Sequence, residues 1–373
     1  MSTGRTVHSR TLPACFMRGG TSKGLLIHRK HLPDDEANWQ PILAGAMGSP
    51  DSYGRQLNGM GSGISSTSKI CVVSPSNRAD ADIDYTFVQV GIKDGLLDMA
   101  GNCGNMSSAV GPFAVNEGIT KEMTAADDGS ETIRMFNTNT SKVLHSTFTV
   151  RAGSFEPSGD YSIDGVPGTA SRITLQFLSP GGAKTGKVFP TGSPVDQLEL
   201  PNGTSVKASL TDIANPGVFV SASELGVPGD IQPDALGSDV QLLARLEEIR
   251  QTGARKMGLD PNIQSIPKIV LLSSPTESAA ANGVNIVCRA LSMQQAHKAV
   301  PLTHALNIGA CCRLEGTLPY QLAANAGGKE SVVIAHASGK LEVACTMKEG
   351  EIESAVLYRT ARVLMSGEVM LPS

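Results

Sequence analysis

The chain has 373 residues, 40% of them hydrophobic and 18% charged, with a formal net charge of −4. These values fit a folded globular protein of one large domain or two and exclude a disordered tail. The charge leaves no basic face for nucleic acid or an acidic membrane, so an anionic ligand must be held by local donors. Seven cysteines, an odd number without Cys-x-x-Cys spacing, argue against a disulfide framework and against a zinc knuckle.

No window approaches the roughly 18 uninterrupted apolar residues of a membrane span, and residues 1–8 lack the apolar centre of a secretory signal. A cytoplasmic protein is expected. Residues 11–28 read as strand, glycine loop, strand. Leu12, Ala14 and Phe16 lead into Met17-Arg18-Gly19-Gly20-Thr21-Ser22-Lys23-Gly24, and Leu25-Leu26-Ile27 follow. The loop is not a Walker phosphate loop, because Leu25 stands where lysine is required. It is either a hairpin turn or an anion-binding loop offering Arg18, Lys23, hydroxyls and backbone N–H groups.

Residues 59–69 mix glycine with hydroxyl side chains and enter a strand at Ile70-Cys71-Val72-Val73. The glycine spacing fails the dinucleotide fingerprint, so no such cofactor is expected. Lys69, at the mouth of an apolar strand, is either a solvated loop lysine or a partly desolvated base. A further strand is expected over 84–92. Behind it, Gly101-Asn102-Cys103-Gly104-Asn105 and the small and apolar residues that follow place Cys103 at the start of a helix closing at Gly118. Unpaired N–H groups at a helix start lower a thiol's pKa and attract carboxylates; the alternative is a buried cysteine in a glycine turn. Pro112 predicts a kink or restart.

Strands are expected over 132–136, 143–150 and 172–177, and the Gly-rich stretch 179–186 has the composition of a domain crossing. A second glycine and hydroxyl loop surrounds Thr191, a strand covers 218–220, and a helix over 238–257 is capped by Ser238 or Asp239 and ended by Gly258. Residues 267–272 form a strand. Residues 287–297 read as a helix or turn facing a site, with His297 and His304 either ligands or bases, or packed or surface side chains. Residues 303–323, broken by Gly316 and Pro319, resemble a second-half counterpart of the helix behind Cys103, and Cys311-Cys312 read as core. Strand-like runs at 331–336, 341–346 and 355–358 close the chain.

Three stretches in this order, Met17 to Gly24, Ser65-Ser66-Thr67-Ser68-Lys69 and Gly101 to Asn105, resemble the PrpF family of aconitate, methylaconitate, methylitaconate and oxalomesaconate isomerases. Phe189-Pro190-Thr191-Gly192, Arg289-Ala290-Leu291-Ser292-Met293 and Thr360-Ala361-Arg362-Val363-Leu364-Met365 extend the match over nearly the whole chain. The resemblance implies an α/β (α+β) protein of diaminopimelate epimerase-like fold. Two pseudo-symmetric domains, residues 1–184 and 185–373, would each wrap a curled, mostly antiparallel sheet on a central helix, with the last strand returning to the first domain. It implies Lys69 and Cys103 as an acid/base pair. Substrate carboxylates would fall to the loop Arg18, Gly19, Gly20, Thr21, Ser22 and Lys23, to Ser65, Ser66 and Thr67, and to Asn102, Gly104, Asn105 and Met106, with Thr191, Ser292 and Met293 from the second half. The epimerases use two matching Cys-Gly motifs and this chain has one, which fits the lysine-bearing isomerases.

The implied chemistry is removal of the weakly acidic proton between a carboxylate and a double bond, giving a delocalised dienolate, followed by protonation elsewhere. Fixed donors at the carboxylate that gains charge lower such a barrier by about 3 kcal/mol each. Free lysine titrates near about 10.4 and free cysteine near about 8.5, so both must be tuned by their surroundings. The expected activity is a cofactor-independent, metal-free isomerisation of an unsaturated tricarboxylate. The alternatives are a 4-oxalomesaconate-type keto-acid tautomerase and a non-catalytic carboxylate binder. Expected partners reduce to a small di- or tricarboxylate, with a homodimer left open.

Overall fold

The two apolar runs that begin at Lys69 and Lys268 form strands buried on both faces, and the sheet extends outward from them. The computed structural model describes residues 11–120, 128–325 and 331–372; residues 1–8, read above for a secretory signal, lie outside them. In chain order come β1 (Thr11–Gly19), β2 (Ser22–His28), α1 (Trp39–Met47), β3 (Lys69–Pro75), β4 (Ile83–Val90), β5 (Leu97–Asp98), α2 (Gly104–Asn116), β6 (Gly129–Asn137), β7 (Lys142–Arg151), β8 (Ser154–Phe155) and β9 (Ile173–Leu178). There follow β10 (Asp196–Glu199), β11 (Ser205–Ile213), β12 (Asn215–Ser221), α3 (Pro233–Ser238), α4 (Val240–Lys256), β13 (Lys268–Ser273), α5 (Glu277–Ala281), β14 (Ile286–Ser292) and β15 (Gln295–Ala296). The chain ends with α6 (Leu302–Cys311), α7 (Leu318–Leu322), β16 (Ser331–His336), β17 (Gly339–Lys348), β18 (Glu351–Arg359) and β19 (Ala361–Met370).

Hydrogen bonding joins these strands into one mixed sheet, in the spatial order β19-β1-β2-β3-β4-β6-β7-β9-β18-β17-β16-β14-β13-β12-β11-β10. The order repeats itself. β1 and β11 each pair antiparallel with the next strand, β2 or β12; that strand pairs parallel with β3 or β13, which pairs antiparallel with β4 or β14, which in turn pairs parallel with the strand after the buried helix, β6 or β16. Parallel neighbours need a crossover, supplied by the segment holding α1 between β2 and β3 and by α3 and α4 between β12 and β13.

The helices α2 and α6 occupy matching places in the two runs. Every residue from Gly104 to Val115 and from Leu302 to Cys311 is buried, the signature of a helix enclosed by sheet. Small residues permit this. A Cβ on Gly111 would meet the Phe148 ring at 2.8 Å, and one on Gly309 would meet Val343 at 3.0 Å. The helix runs on through Pro112 instead of restarting there. Burial of Val110, Phe113 and Ala114 around it outweighs a propensity cost of about 3 kcal/mol.

The helix expected over 238–257 is α4, opened by the Asp239 carboxylate accepting from Leu242 N at 2.9 Å. The helix considered over 287–297 is instead β14, a tight turn and β15. Met293 (φ 51°) and Gln294 (φ 59°) make that turn, and pairing with β13 and β16 overrides any local helical preference. The 303–323 segment divides into α6 and α7, with Pro319 in the first turn of α7. Cys311 and Cys312 are core. Among the described residues, no helix is long and apolar enough to cross a membrane.

Candidate active site

The two buried helices start side by side. A Cβ on Gly104, the first residue of α2, would lie 2.3 Å from Leu302 Cδ2, on the first residue of α6. The first N–H groups of a helix have no intrahelical acceptor and carry its positive end, so two such ends converge here. Asn215, at the start of β12, fastens them. Its Oδ1 accepts from Asn102 N at 3.1 Å, and its Nδ2 donates to Asn102 O at 2.7 Å and to Thr303 Oγ1 at 3.1 Å.

Between these ends lies a narrow cavity lined by Ser22, Ser65, Lys69, Gln89, Cys103 and Asn105 from the first run of strands and by Ser265, Lys268, Ser292, His297 and Thr303 from the second. Among the described residues, no carboxylate lines it. It leaves about 20 Å³ free and adjoins a wider pocket of about 720 Å³, to which Thr21, Ser66 and Thr67 contribute and Ser65 and His297 are common.

Cys103 is the N-cap of α2, with extended backbone (φ −114°, ψ 96°), and its carbonyl accepts from Ser107 N at 2.9 Å. Its thiol does not cap the helix and is partly exposed, whereas Cys15, Cys71, Cys288, Cys311, Cys312 and Cys345 are all buried. Burial pushes the Cys288, Cys311 and Cys345 thiols up to about 12, which removes them from acid/base work near neutrality. Lys69 is buried, lies over the Phe87 ring at 5.0 Å and donates to Gln89 Oε1 at 2.6 Å. Gln89 is itself fixed, its Nε2 donating to the carbonyls of Ser65 (3.1 Å) and Ser68 (2.8 Å).

The expected carboxylate-binding residues separate. Thr21, Ser22, Ser65, Ser66, Thr67, Asn102, Gly104, Asn105 and Ser292 line the cavity or its outer pocket. Asn105 is clamped: its Oδ1 accepts from Thr21 N and from Arg359 Nε, and its Nδ2 donates to Thr21 Oγ1. Asn102 gives its amide to Tyr85 OH at 3.0 Å. Gly19 and Gly20 let the loop lie against α2, since a Cβ on Gly20 (φ 51°) would sit 2.1 Å from Asn105 Oδ1.

Besides Gly19 and Gly20, five residues line neither the cavity nor its outer pocket. Lys23 alternates with Ser22 along β2, so it faces away, its Nζ 5.5 Å from the Phe16 ring centre. Arg18 donates to the carbonyls of Gly20 (3.0 Å) and Thr360 (2.9 Å) and so braces the loop instead of facing a ligand. Met106 is fully buried in the core. Met293 follows Ser292 into the turn and lies beside Leu243 and Glu247 of α4. Thr191 donates to Asp196 Oδ2 at 2.7 Å, a local turn bond before β10.

The cavity also contains residues that sequence reasoning passed over, above all Lys268. The signal was present as a short repeat: Lys69-Ile70-Cys71-Val72 and Lys268-Ile269-Val270-Leu271 both open a buried strand with lysine. Of the two histidines, His304 is structural, its Nε2 donating to Pro216 O at 2.9 Å. His297 lines the cavity. Burial pushes it down to about 4, with Lys69 adding to the effect, and its Nδ1 accepts from Ala299 N at 3.1 Å. A neutral ring accepting at Nδ1 carries its proton on Nε2, which makes it an uncharged donor. Among the described residues, no group of three or more His, Cys, Asp and Glu is placed to hold a metal.

The model of the family described as PrpF protein matches residues 9–372. The chain is 36% identical over 373 residues to a 3-methylitaconate isomerase of Eubacterium barkeri, covering 96% of each chain. It is 37% identical over 385 residues to a 2-methyl-aconitate isomerase of Cupriavidus necator, covering 97% of each, and 35% identical over 362 residues to a 4-oxalomesaconate tautomerase of Pseudomonas putida, covering 96% of each. A crystal structure of methylitaconate-delta-isomerase superposes with a TM-score of 0.75 at 36% identity, over 97% of this chain and 96% of that one. A hydroxyproline epimerase from Agrobacterium vitis shares the fold at 10% identity, with a TM-score of 0.58 over 98% of this chain and 94% of that one. With the family model spanning nearly its full length and relatives above 30% identity along almost all of it, the chain belongs to the PrpF family and is an isomerase.

Proposed function

We propose that the protein isomerises an unsaturated tricarboxylate by moving a proton, with Lys69 as base and Cys103 as acid. The substrate is aconitate, by cis-trans or double-bond shift, or its 2-methyl derivative. The observation that carries this reading is that Lys69 and the partly exposed Cys103 thiol line one cavity, with no carboxylate among its described lining residues, where two helix starts converge. Positive helix ends favour a polyanion and the dienolate formed from it. The neutral Nε2–H of His297 adds a donor that needs no charge of its own. In its present shape the cavity has room for about one water, so the acid enters as the cleft widens toward the outer pocket.

In the forward step the allylic C–H bond breaks, its proton passes to the Lys69 amine, and the electron pair spreads through the double bond into the adjacent carboxylate. Cys103 returns a proton at the other end of the allyl system, or at the same carbon after rotation, and proton exchange between the two groups resets the pair. A keto-acid tautomerase reading is favoured by one relative bearing that name. The two are separated by proton NMR of cis-aconitate, 2-methylaconitate and 4-oxalomesaconate in heavy water. Lys69→Ala abolishes deuterium incorporation and Cys103→Ser slows it; full exchange by the Lys69 variant refutes the assignment.

A further inference from the structure

The cavity holds a second lysine that this proton transfer does not use. Leu25 of β2 pairs with Ile70 of β3, and Val218 of β12 pairs with Ile269 of β13, so Lys69 and Lys268 each precede the matching pair. Each lies beside a glycine. Gly217 is in register with Lys268, and a Cβ on Gly24 would sit 2.1 Å from the Lys69 carbonyl. The repeated strand order thus delivers one lysine from each run to the same cavity.

Their surroundings differ. Lys69 meets a neutral amide, Gln89, and an aromatic face, Phe87. Lys268 donates to the carbonyl of Ser265, and Ser265 is held by Asp98, which accepts from its hydroxyl at 2.6 Å and its N–H at 3.0 Å. A carboxylate therefore stands behind Lys268. The other charged or titratable groups bearing on Lys268 are Lys69 from β3, Cys103 at the start of α2, Arg250 from α4, and His297 and His304, both kept neutral by burial. Burial and then Lys69 push Lys268 down to about 8, with Asp98 and Cys103 opposing, so it stays mostly protonated at neutral pH. The carboxylate behind Lys268 suits it to serve as a fixed cation, whereas Lys69 is held by a neutral amide and an aromatic face.

We propose that Lys268 is the fixed cation of the reaction, pairing with the substrate carboxylate that receives the dienolate charge while Lys69, its counterpart in the repeat, carries the proton. This rests on Lys69 being the base. Lys268 forms no covalent bond and neither gains nor loses a proton in the cycle. Its ammonium is worth more to the dienolate than to the resting acid, so it acts mainly on kcat.

The test measures deuterium incorporation into whichever acid the wild-type enzyme exchanges, from pH 6 to pH 10, for Lys268→Met, Lys268→Arg and Lys69→Ala. Lys268→Met lowers kcat by about 10²- to 10³-fold with a smaller rise in KM, and Lys268→Arg recovers most of it. A merely structural lysine would not give that kcat-against-KM split or its repair by Arg. Lys268→Gln, which keeps a donor for the Ser265 carbonyl, makes the same comparison if Met disturbs folding. Activity of Lys268→Met within threefold of wild type, or a loss that falls on KM instead of kcat or that Arg does not repair, overturns the proposal. Full exchange by Lys69→Ala faults the base assignment instead, whatever the Lys268 variants do.

Discussion

Asn215→Ala removes a side chain that ties the starts of both buried helices to β12. Three hydrogen bonds disappear, from Asn102 N (3.1 Å), to Asn102 O (2.7 Å) and to Thr303 Oγ1 (3.1 Å). At about 1 kcal/mol net per bond, plus the penalty for leaving buried backbone groups of Asn102 unpaired, the expected loss is about 3–5 kcal/mol. That is a large part of the roughly 5–15 kcal/mol that holds a typical domain folded. Urea unfolding followed by circular dichroism reads it directly: the midpoint falls while the slope m stays constant. Because Asn102 precedes Cys103, deuterium exchange into substrate should fall further than the unfolded fraction accounts for. A loss below about 1 kcal/mol with unchanged exchange would mean that the Asn215 clamp is dispensable and that the helix ends are held by packing of Gly104 on Leu302 alone.

Two more outcomes follow from the geometry. Gly20→Ala places a Cβ 2.1 Å from Asn105 Oδ1 at a left-handed backbone position, so it should cost about 1–3 kcal/mol by thermal unfolding and raise KM by displacing Asn105; a fully active, equally stable variant would contradict the close approach. His297 and His304 are held near about 4 and about 3 in the folded protein, against about 6.5 when unfolded. Between those values the unfolded chain binds more protons, so stability is full above about pH 6.5 and falls on acidification toward about pH 4. A melting temperature that stays flat from pH 7 to pH 4.5 would contradict their burial as neutral rings, and His304→Gln should make the slope shallower.

Much of the local structure could be read without tertiary information, because local rules decided it. Turn glycines set the loop between β1 and β2, Asp239 capped α4, and Cys103 stands at the helix start that its glycine and asparagine neighbours indicate. Where residue pattern and contacts disagreed, contacts decided. Pro112 sits inside a continuous helix because α2 is enclosed, and residues 286–292 form a strand because β13 and β16 lie on either side. The same holds for the candidate site. A motif names a stretch, but strand alternation sends Ser22 to the cavity and Lys23 to Phe16, and the turn after β14 sends Ser292 inward and Met293 to α4.

The sequence by itself determined the family, and it named Lys69, Cys103 and the glycine and hydroxyl loops as candidates, because these are encoded by neighbouring residues. Only the tertiary structure decided which cations face the cavity. Arg18 and Lys23 are bound up in bracing the loop and covering Phe16, while Lys268, nearly two hundred positions from Lys69, is brought to the same cavity by the repeated strand order. Charge that lies far apart along a chain converges only when the sheet closes, and no local spacing records that convergence.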